Sequence, residues 1–376
     1  MSRVVIFIFL FILAKDSFGQ SSNAEAVQYF NEAIGYYKQK DFTKAVNLYS
    51  KAIAADKSYT KAYYNRANAK LNLKDYSNAI KDYDRCLLLQ SDHAKAHLYK
   101  GFALMKMGED KGALKSFSSA LQLRKDLKSA YLNRGVIQMK YESYELAIED
   151  FKSTINLDND NATAYYNMGL CNYKLEDYRV AIQNFSAALD IKPGTKKYLE
   201  NRGKCYLKIE EYENAITDYS AALRKDPSIA ENYYLRGYCK MIIEDYNGAN
   251  NDFEKAIEIN PSHKSALVNK ALTSIQINKF EDAVDDYTKL IKIDIDNPKN
   301  YHNRGLAYLQ SEKFNNAIED FSHAIDIDEQ FSEAYFNRAN AYSKIDQMGR
   351  ACNDMRSSAK LGYEPAFAHI NALCQN

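Results

Sequence analysis

Asparagine is the residue whose spacing first indicates chemistry in this chain. Eight asparagines are separated by multiples of 34 residues: Asn31, Asn65, Asn133, Asn167, Asn201, Asn269, Asn303 and Asn337. Because asparagine is unfavourable inside a helix, eight such residues need a reason. An amide side chain both donates and accepts hydrogen bonds, so the row could bind the N–H and C=O groups of any peptide. The alternative is that each amide bonds a backbone carbonyl of a neighbouring repeat, and the sequence leaves both open.

Aromatic residues and lysines recur beside the asparagines with the same period. The aromatic residues include Tyr64, Tyr166, Tyr173 and Tyr234, and the lysines include Lys106, Lys140, Lys174 and Lys208. An aromatic surface with amides and a lysine edge favours an extended, somewhat acidic peptide as the ligand. The alternatives are a solvated lysine edge and aromatic rings that pack between neighbouring helices.

Arginine and aspartate covary at a separation of 16 residues. The pairs are Arg66 and Asp82, Arg134 and Asp150, Arg202 and Asp218, Arg236 and Asp252, Arg304 and Asp320, and Arg338 and Asp354. Where the base is replaced by Met168, the acid is replaced by Asn184. The arginines could bind a phosphate or carboxylate of a ligand. Because the acid follows the base, we interpret the pairs as structural ion pairs inside each repeat, each worth about 0–1 kcal/mol if exposed.

No catalytic or cofactor-binding motif accompanies these residues. The sequence has no phosphate-binding glycine loop, no GxSxG, no HExxH and no CxxC, and its six histidines are scattered. Its 50 basic and 49 acidic residues balance, so no global field attracts nucleic acid. We therefore expect no enzyme, no cofactor, no metal site and no nucleic-acid partner. An enzyme site assembled across repeats is the remaining alternative.

The six cysteines fall into two groups. Cys171, Cys205 and Cys239 share one place in consecutive repeats, where a helix spacing of about 8–10 Å is too wide for a disulfide. We interpret them as small buried residues. Cys352 and Cys374 lie at the ends of two predicted antiparallel helices, so a disulfide between them is expected. It would close a loop of roughly twenty residues, contribute about 3 kcal/mol, and require an oxidising compartment.

The elements that hold these residues follow from the same period of 34. Alanine recurs at this spacing ten times, from Ala45 to Ala351, with an aromatic four residues later in nine units. With the alanine as position 20, positions 4, 8 and 11 form one apolar stripe and positions 20, 24 and 27 another. Each unit is therefore predicted to be a pair of helices. One hairpin cannot bury its stripe alone, whereas stacked hairpins can.

Ten such units tile residues 26–365 without a gap. Their bounds are 26–59, 60–93, 94–127, 128–161, 162–195, 196–229, 230–263, 264–297, 298–331 and 332–365. The pattern resembles the tetratricopeptide repeat (TPR) family, with departures such as Leu199 and Leu267 at position 4. The resemblance implies an all-α fold, an α-solenoid of helix-turn-helix hairpins forming a right-handed superhelix. Its inner groove would be lined by the first helix of each pair, and a row of asparagines resembles the ladders with which some TPR superhelices hold peptide backbone. Residues 366–376 are predicted to form a short C-terminal capping helix.

The N-terminus is interpreted as a targeting signal. A basic start precedes the unbroken apolar run of residues 4–14, which is too short to span a bilayer but suits a secretory signal. We expect residues 1–19 to be a signal peptide, residues 20–25 to be a short lead-in, and the product to be exported to the periplasm or the extracellular space. An uncleaved tail is the alternative. No other apolar run could span a membrane.

The sequence predicts a non-catalytic, exported interaction scaffold that binds extended peptide or protein segments in its groove. The alternative is a structural component of an envelope or surface assembly that docks by its outer face or its ends. The partner's identity and the oligomeric state are not encoded in any motif.

Overall fold

A computed structural model describes residues 24–374, and every regular element in that range is an α-helix. The predicted all-α solenoid is confirmed: helices follow one another as antiparallel pairs. The first of them, α1, covers residues 24–38. The others are α2 Phe42–Ala55, α3 Thr60–Asn72, α4 Tyr76–Leu89, α5 Ala94–Lys106, α6 Asp110–Leu123, α7 Lys128–Lys140, α8 Tyr144–Leu157, α9 Ala162–Lys174, α10 Tyr178–Ile191, α11 Lys196–Lys208, α12 Tyr212–Lys225, α13 Ala230–Ile242, α14 Tyr246–Ile259, α15 Lys264–Gln276, α16 Phe280–Ile293, α17 Pro298–Gln310, α18 Phe314–Ile327, α19 Ser332–Lys344, α20 Met348–Lys360 and α21 Glu364–Leu373.

The chain divides into two compact units. The N-terminal unit ends at Ile191 and contains α1–α10, and the C-terminal unit begins at Lys192 and contains α11–α21. Within each unit every helix packs on the next one along the chain. The predicted signal peptide lies outside the described residues. None of the helices within residues 24–374 has the length and apolar character needed to cross a membrane.

A tight turn joins the two helices of every hairpin. Its position 15 has a positive φ in each of the ten repeats, yet only one of these residues is glycine, Gly108; the other nine include Lys74 and Glu142. A side chain in this conformation costs about 1–2 kcal/mol, which the packing of the hairpin must offset. The next residue often caps the second helix: Asp75 and Asp245 accept hydrogen bonds from backbone N–H groups three residues later.

The core of each hairpin is a contact between a small residue and an aromatic ring. The alanine at position 20 and the aromatic residue at position 24 are fully buried throughout, as at Ala181 and Phe185. Gly169 faces that ring so closely that a Cβ added to it would lie 2.6 Å from Phe185. Because glycine has no side chain, the two helices of the hairpin can approach this closely.

The C-terminal end is closed by α21. The helix begins at Glu364, two residues earlier than predicted, because Pro365 is accommodated in its first turn. Tyr363, just before it, and His369 within it contact the ring of Phe336. The Sγ atoms of Cys352 and Cys374 are bonded, which joins the start of α20 to the end of α21.

Candidate functional site

The first helices of the hairpins form the candidate site. In the N-terminal unit α3 contacts α5, α5 contacts α7 and α7 contacts α9, and in the C-terminal unit α13 contacts α15 and α17 contacts α19. Among the described helices, second helices of neighbouring hairpins make no contact of that extent. We call the first-helix surface formed by positions 2, 5, 6, 9, 12 and 13 the groove face.

In the N-terminal unit two asparagines of position 6 bond within their own helix. Asn65 Nδ2 donates to the carbonyl of Lys61 at 3.0 Å, and Asn133 Nδ2 donates to the carbonyl of Ser129 at 2.7 Å. Each amide keeps a second N–H and its carbonyl oxygen for another partner. Asn31 is exposed, whereas Asn167 is buried. The carbonyl partners belong to the same helix, four residues earlier, and not to a neighbouring repeat.

In the C-terminal unit two asparagines of position 6 bond a histidine ring instead. Asn337 Nδ2 lies 2.9 Å from Nε2 of His302, whose Nδ1 lies 3.3 Å from Oδ1 of Asn303. The bond between Asn337 and His302 joins two successive hairpins. Only Asn201 follows the N-terminal pattern here, donating to the carbonyl of Lys197 at 2.7 Å.

The aromatic residues at position 5 pack on the second helix of their own hairpin. Ring centroids are 6.3 Å apart for Tyr64 and Tyr83, 5.7 Å for Tyr166 and Phe185, and 6.0 Å for Tyr234 and Phe253. Burial raises the pKa of Tyr64 to about 12. These rings therefore pack between the two helices of the hairpin and stabilise it. Tyr173, at position 12, packs edge-on against Tyr178 at 5.5 Å.

The lysines of position 13 are more accessible. Lys106, Lys174 and Lys208 are exposed. The ammonium of Lys106 lies 5.2 Å from the centroid of the Phe102 ring. Lys140 is ion-paired with the buried carboxylate of Asp110 on the preceding hairpin.

A cavity opens on the groove face of the N-terminal unit. Its volume is about 320 Å³. It is lined by Leu71 of α3, by Leu98, Tyr99 and Phe102 of α5, and by Ser129 and Asn133 of α7. The sequence analysis did not single out this pocket, although its signal was present, since Tyr99 interrupts the asparagine row.

Each arginine of position 7 lies against its aspartate in the same hairpin. Nη2–Oδ1 distances are 2.7 Å for Arg66 and Asp82, for Arg134 and Asp150, for Arg202 and Asp218, and for Arg304 and Asp320, and 2.6 Å for Arg236 and Asp252; Arg338 Nε lies 2.7 Å from Asp354 Oδ2. The aspartates are buried. The hydrogen bond to Asp150 raises the pKa of the Arg134 guanidinium.

The sequence analysis missed a third member of these pairs. Arg134 Nη1 also donates to Ser118 Oγ of the preceding hairpin at 3.1 Å, and Ser50, Ser220, Thr288 and Ser322 serve other arginines in the same way. The signal was again periodic: where lysine replaces arginine, at Lys100 and Lys270, the residue 16 before it is acidic. Lys100 pairs with Asp84. The arginines therefore join neighbouring hairpins as well as helices.

The remaining cysteines are free and buried. They are Cys86, Cys171, Cys205 and Cys239. Burial raises the pKa of the last three thiols to about 12. In the part of the chain that the structure describes, no group of three or more His, Cys, Asp or Glu side chains could hold a metal ion.

Comparison with known families decides what the hairpins are. Tetratricopeptide repeat profiles match residues 60–93, 166–230, 230–263 and 265–297, and a TPR repeat profile matches residues 142–176 and 307–346. The chain belongs to the tetratricopeptide repeat family. The predicted resemblance is thereby confirmed.

Solved TPR structures resemble the chain in fold. The C-terminal part of a TPR repeat-containing protein from Cytophaga hutchinsonii is 20% identical, with a TM-score of 0.55, over 64% of this chain and 98% of that one. YrrB, a TPR protein with an unusual peptide-binding site, is 23% identical, with a TM-score of 0.47, over 49% of this chain and 95% of its own. None of the curated proteins compared with the chain matches it.

Proposed function

We propose that this TPR protein is a non-catalytic, exported scaffold that binds an extended peptide or protein segment on its groove face. The observation that carries the proposal is the state of Asn65 and Asn133. Each uses one N–H on its own helix and keeps an acceptor and a donor for a ligand. Because a peptide backbone presents both groups at regular intervals, two such amides in one unit suit an extended segment.

The proposal of export has two supports. One is the apolar run at residues 4–14 that follows a basic start. The other is the bonded pair Cys352 and Cys374, since structural disulfides persist in oxidising compartments. Mass spectrometry of the protein recovered from its native cells tests export. We expect a mature N-terminus at Gln20, and an intact N-terminal segment in the cytosolic fraction would contradict it.

The binding proposal is tested by capture from the exported fraction of the native cells. The bait is the mature protein, compared with an Asn65→Ala/Asn133→Ala variant. A matched control, Asn156→Ala/Asn247→Ala, removes two exposed helical amides away from the groove face. We expect the groove variant to keep its helicity and melting temperature and to lose partners that the control retains. If all three baits capture the same proteins, the groove face is not the site. Docking by the outer face or the ends then becomes the better account.

A further inference from the structure

We infer that the pocket of the third repeat binds one large apolar side chain of an acidic peptide. The inference rests on the proposed function, because it names the kind of segment that the groove face would accept. It concerns the pocket of Leu71, Leu98, Tyr99, Phe102, Ser129 and Asn133, which we call the α5 pocket.

The α5 pocket is built by three consecutive first helices. Leu71 comes from α3, Phe102 from α5 and Asn133 from α7. A volume of about 320 Å³ accommodates an aromatic or long aliphatic side chain. Four of its six lining residues are apolar or aromatic, and Leu98 is buried. Binding in the pocket is therefore favourable, because it removes an apolar side chain of the ligand from water.

The third repeat differs from its neighbours in the residues that make this pocket. Eight repeats have asparagine at position 6, whereas this one has Tyr99. Position 5, aromatic in the second repeat at Tyr64, is leucine here and in the fourth repeat, at Leu98 and Leu132. The ring of Tyr99 lies 6.3 Å from that of Tyr64 and is held beside it. At this one repeat, the aromatic ring of Tyr99 therefore replaces the amide that eight other repeats present at position 6.

The polar edge of the pocket suits the backbone next to an inserted side chain. Asn133 Nδ2 donates to the carbonyl of Ser129 at 2.7 Å, which leaves Oδ1 and one N–H for a ligand. An extended peptide could therefore place a side chain against Phe102 and bond the same amide through its main chain.

The charge around the pocket selects an acidic ligand. The six groove-face positions of the five N-terminal repeats contain six lysines and no acidic residue: Lys38, Lys61, Lys95, Lys106, Lys140 and Lys174. Lys140 is paired with Asp110, but Lys95 and Lys106, at the two ends of α5, are exposed. The same positions of the C-terminal unit contain five lysines and three glutamates, Glu200, Glu231 and Glu333, so that groove face carries less net positive charge. Charge complementarity therefore favours aspartate and glutamate around the inserted side chain.

The test uses three synthetic peptides and fluorescence anisotropy. The probe is a blocked, labelled nonapeptide of Glu, Ser and Gly with one central Phe. Its two controls replace Phe by Gly, or every Glu by Lys. We expect the mature protein to bind the probe about tenfold more tightly than either control, the effect of burying one phenyl ring or of matching the charge. Equal affinity for the probe and the Gly peptide, or no saturable binding of the probe, overturns the inference.

Two variants test whether the probe binds at the α5 pocket. Tyr99→Asn restores the residue that eight other repeats have at this position, and Leu235→Asn makes the same change in the C-terminal unit. We expect the first to weaken probe binding about tenfold and the second to leave it unchanged. Should Tyr99→Asn lose helicity, Lys95→Gln/Lys106→Gln changes only exposed side chains. That variant is expected to bind the probe about fivefold more weakly, and its affinity should depend less on salt concentration. Unchanged affinity in it would contradict the inference.

Failure of this inference is distinguishable from failure of the proposed function. If the peptides bind without regard to Phe or Glu while Asn65→Ala/Asn133→Ala still loses its captured partners, the groove face is the site and the α5 pocket is not its anchor.

Discussion

The same residue type has two roles in this protein, and the difference is visible only in the hydrogen bonds. Asn65 and Asn133 bond carbonyls of their own helices, whereas Asn303 and Asn337 bond the ring nitrogens of His302. Removing an amide of the first kind costs little, because its partner carbonyl already serves the helix. Removing one of the second kind leaves a nitrogen of the buried His302 ring unpaired and costs about 1–3 kcal/mol.

The buried ion pairs make a prediction at the residue scale. Asp150→Ala leaves the half-buried Arg134 guanidinium without its two hydrogen bonds to the carboxylate, at 2.8 and 2.7 Å. We expect a loss of about 3 kcal/mol in the free energy of unfolding, measured by urea denaturation. Asp160→Ala, which removes an exposed carboxylate two residues before α9, is the control and should change stability by less than about 0.5 kcal/mol. Equal effects would contradict the structural role of the pair.

His302 gives the protein a pH dependence with a definite sign. Burial lowers the pKa of its imidazole below the ordinary value of 6.5. The unfolded chain therefore takes up the proton first, so stability is complete above pH 6.5 and is lost as the pH falls below it. His302→Phe, with the residue that the last repeat has at this position, should lose less stability between pH 7 and pH 5 than the wild type. Parallel urea-denaturation profiles over that range would show that His302 does not contribute.

At the scale of elements, the hairpin depends on a contact between a small residue and a ring. Six repeats have glycine at position 8, and five of these have phenylalanine at position 24, whereas Ala33, Ala67 and Ala271 face tyrosine. The periodicity predicted both helices because alanine, glycine and aromatic residues recur in phase. It could not predict the bonds between repeats, since these depend on how successive hairpins stack.

Gly169→Ala tests that contact. The added Cβ would lie 2.6 Å from Phe185 and should destabilise the protein by about 1–3 kcal/mol. The control is Gly35→Ala in α1, where the added Cβ meets nothing within 4 Å. It should stabilise the protein by up to about 1 kcal/mol through helix propensity. Thermal and urea denaturation compare the two, and a neutral or stabilising Gly169→Ala would contradict the account.

The disulfide between Cys352 and Cys374 predicts a local effect of reduction. It closes a loop with a sequence separation of 22 and should contribute about 3 kcal/mol. Since repeats contact only their neighbours, reduction should speed hydrogen exchange in α20 and α21 and leave the other helices unchanged. A Cys352→Ser/Cys374→Ser variant should exchange like the reduced protein, with or without reductant. Identical exchange in the oxidised and reduced wild type would contradict this prediction.

At the scale of the whole molecule, the array consists of two units whose groove faces differ. The N-terminal groove face carries six lysines, amides with bonding capacity and the α5 pocket, whereas the C-terminal one carries five lysines, three glutamates and two amides bound to His302. The sequence predicted the fold and the candidate face because ten copies act as an internal alignment. It did not predict the division after Ile191 or the pocket, because each arises from contacts among several repeats. The signal peptide, export and the handedness of the superhelix stay predictions.

The central claim, that partners bind the groove face, is tested most directly by photo-crosslinking. A benzoylphenylalanine replaces Phe102 on the groove face or, as the control, Leu146, a residue of the second helix α8 with 53% of its surface exposed. Both proteins are incubated with the exported fraction of the native cells, irradiated, and analysed by mass spectrometry. We predict that the probe at 102 crosslinks the partner and that the probe at 146 does not. Crosslinks from 146 alone would place the partner on the outer face and contradict the account.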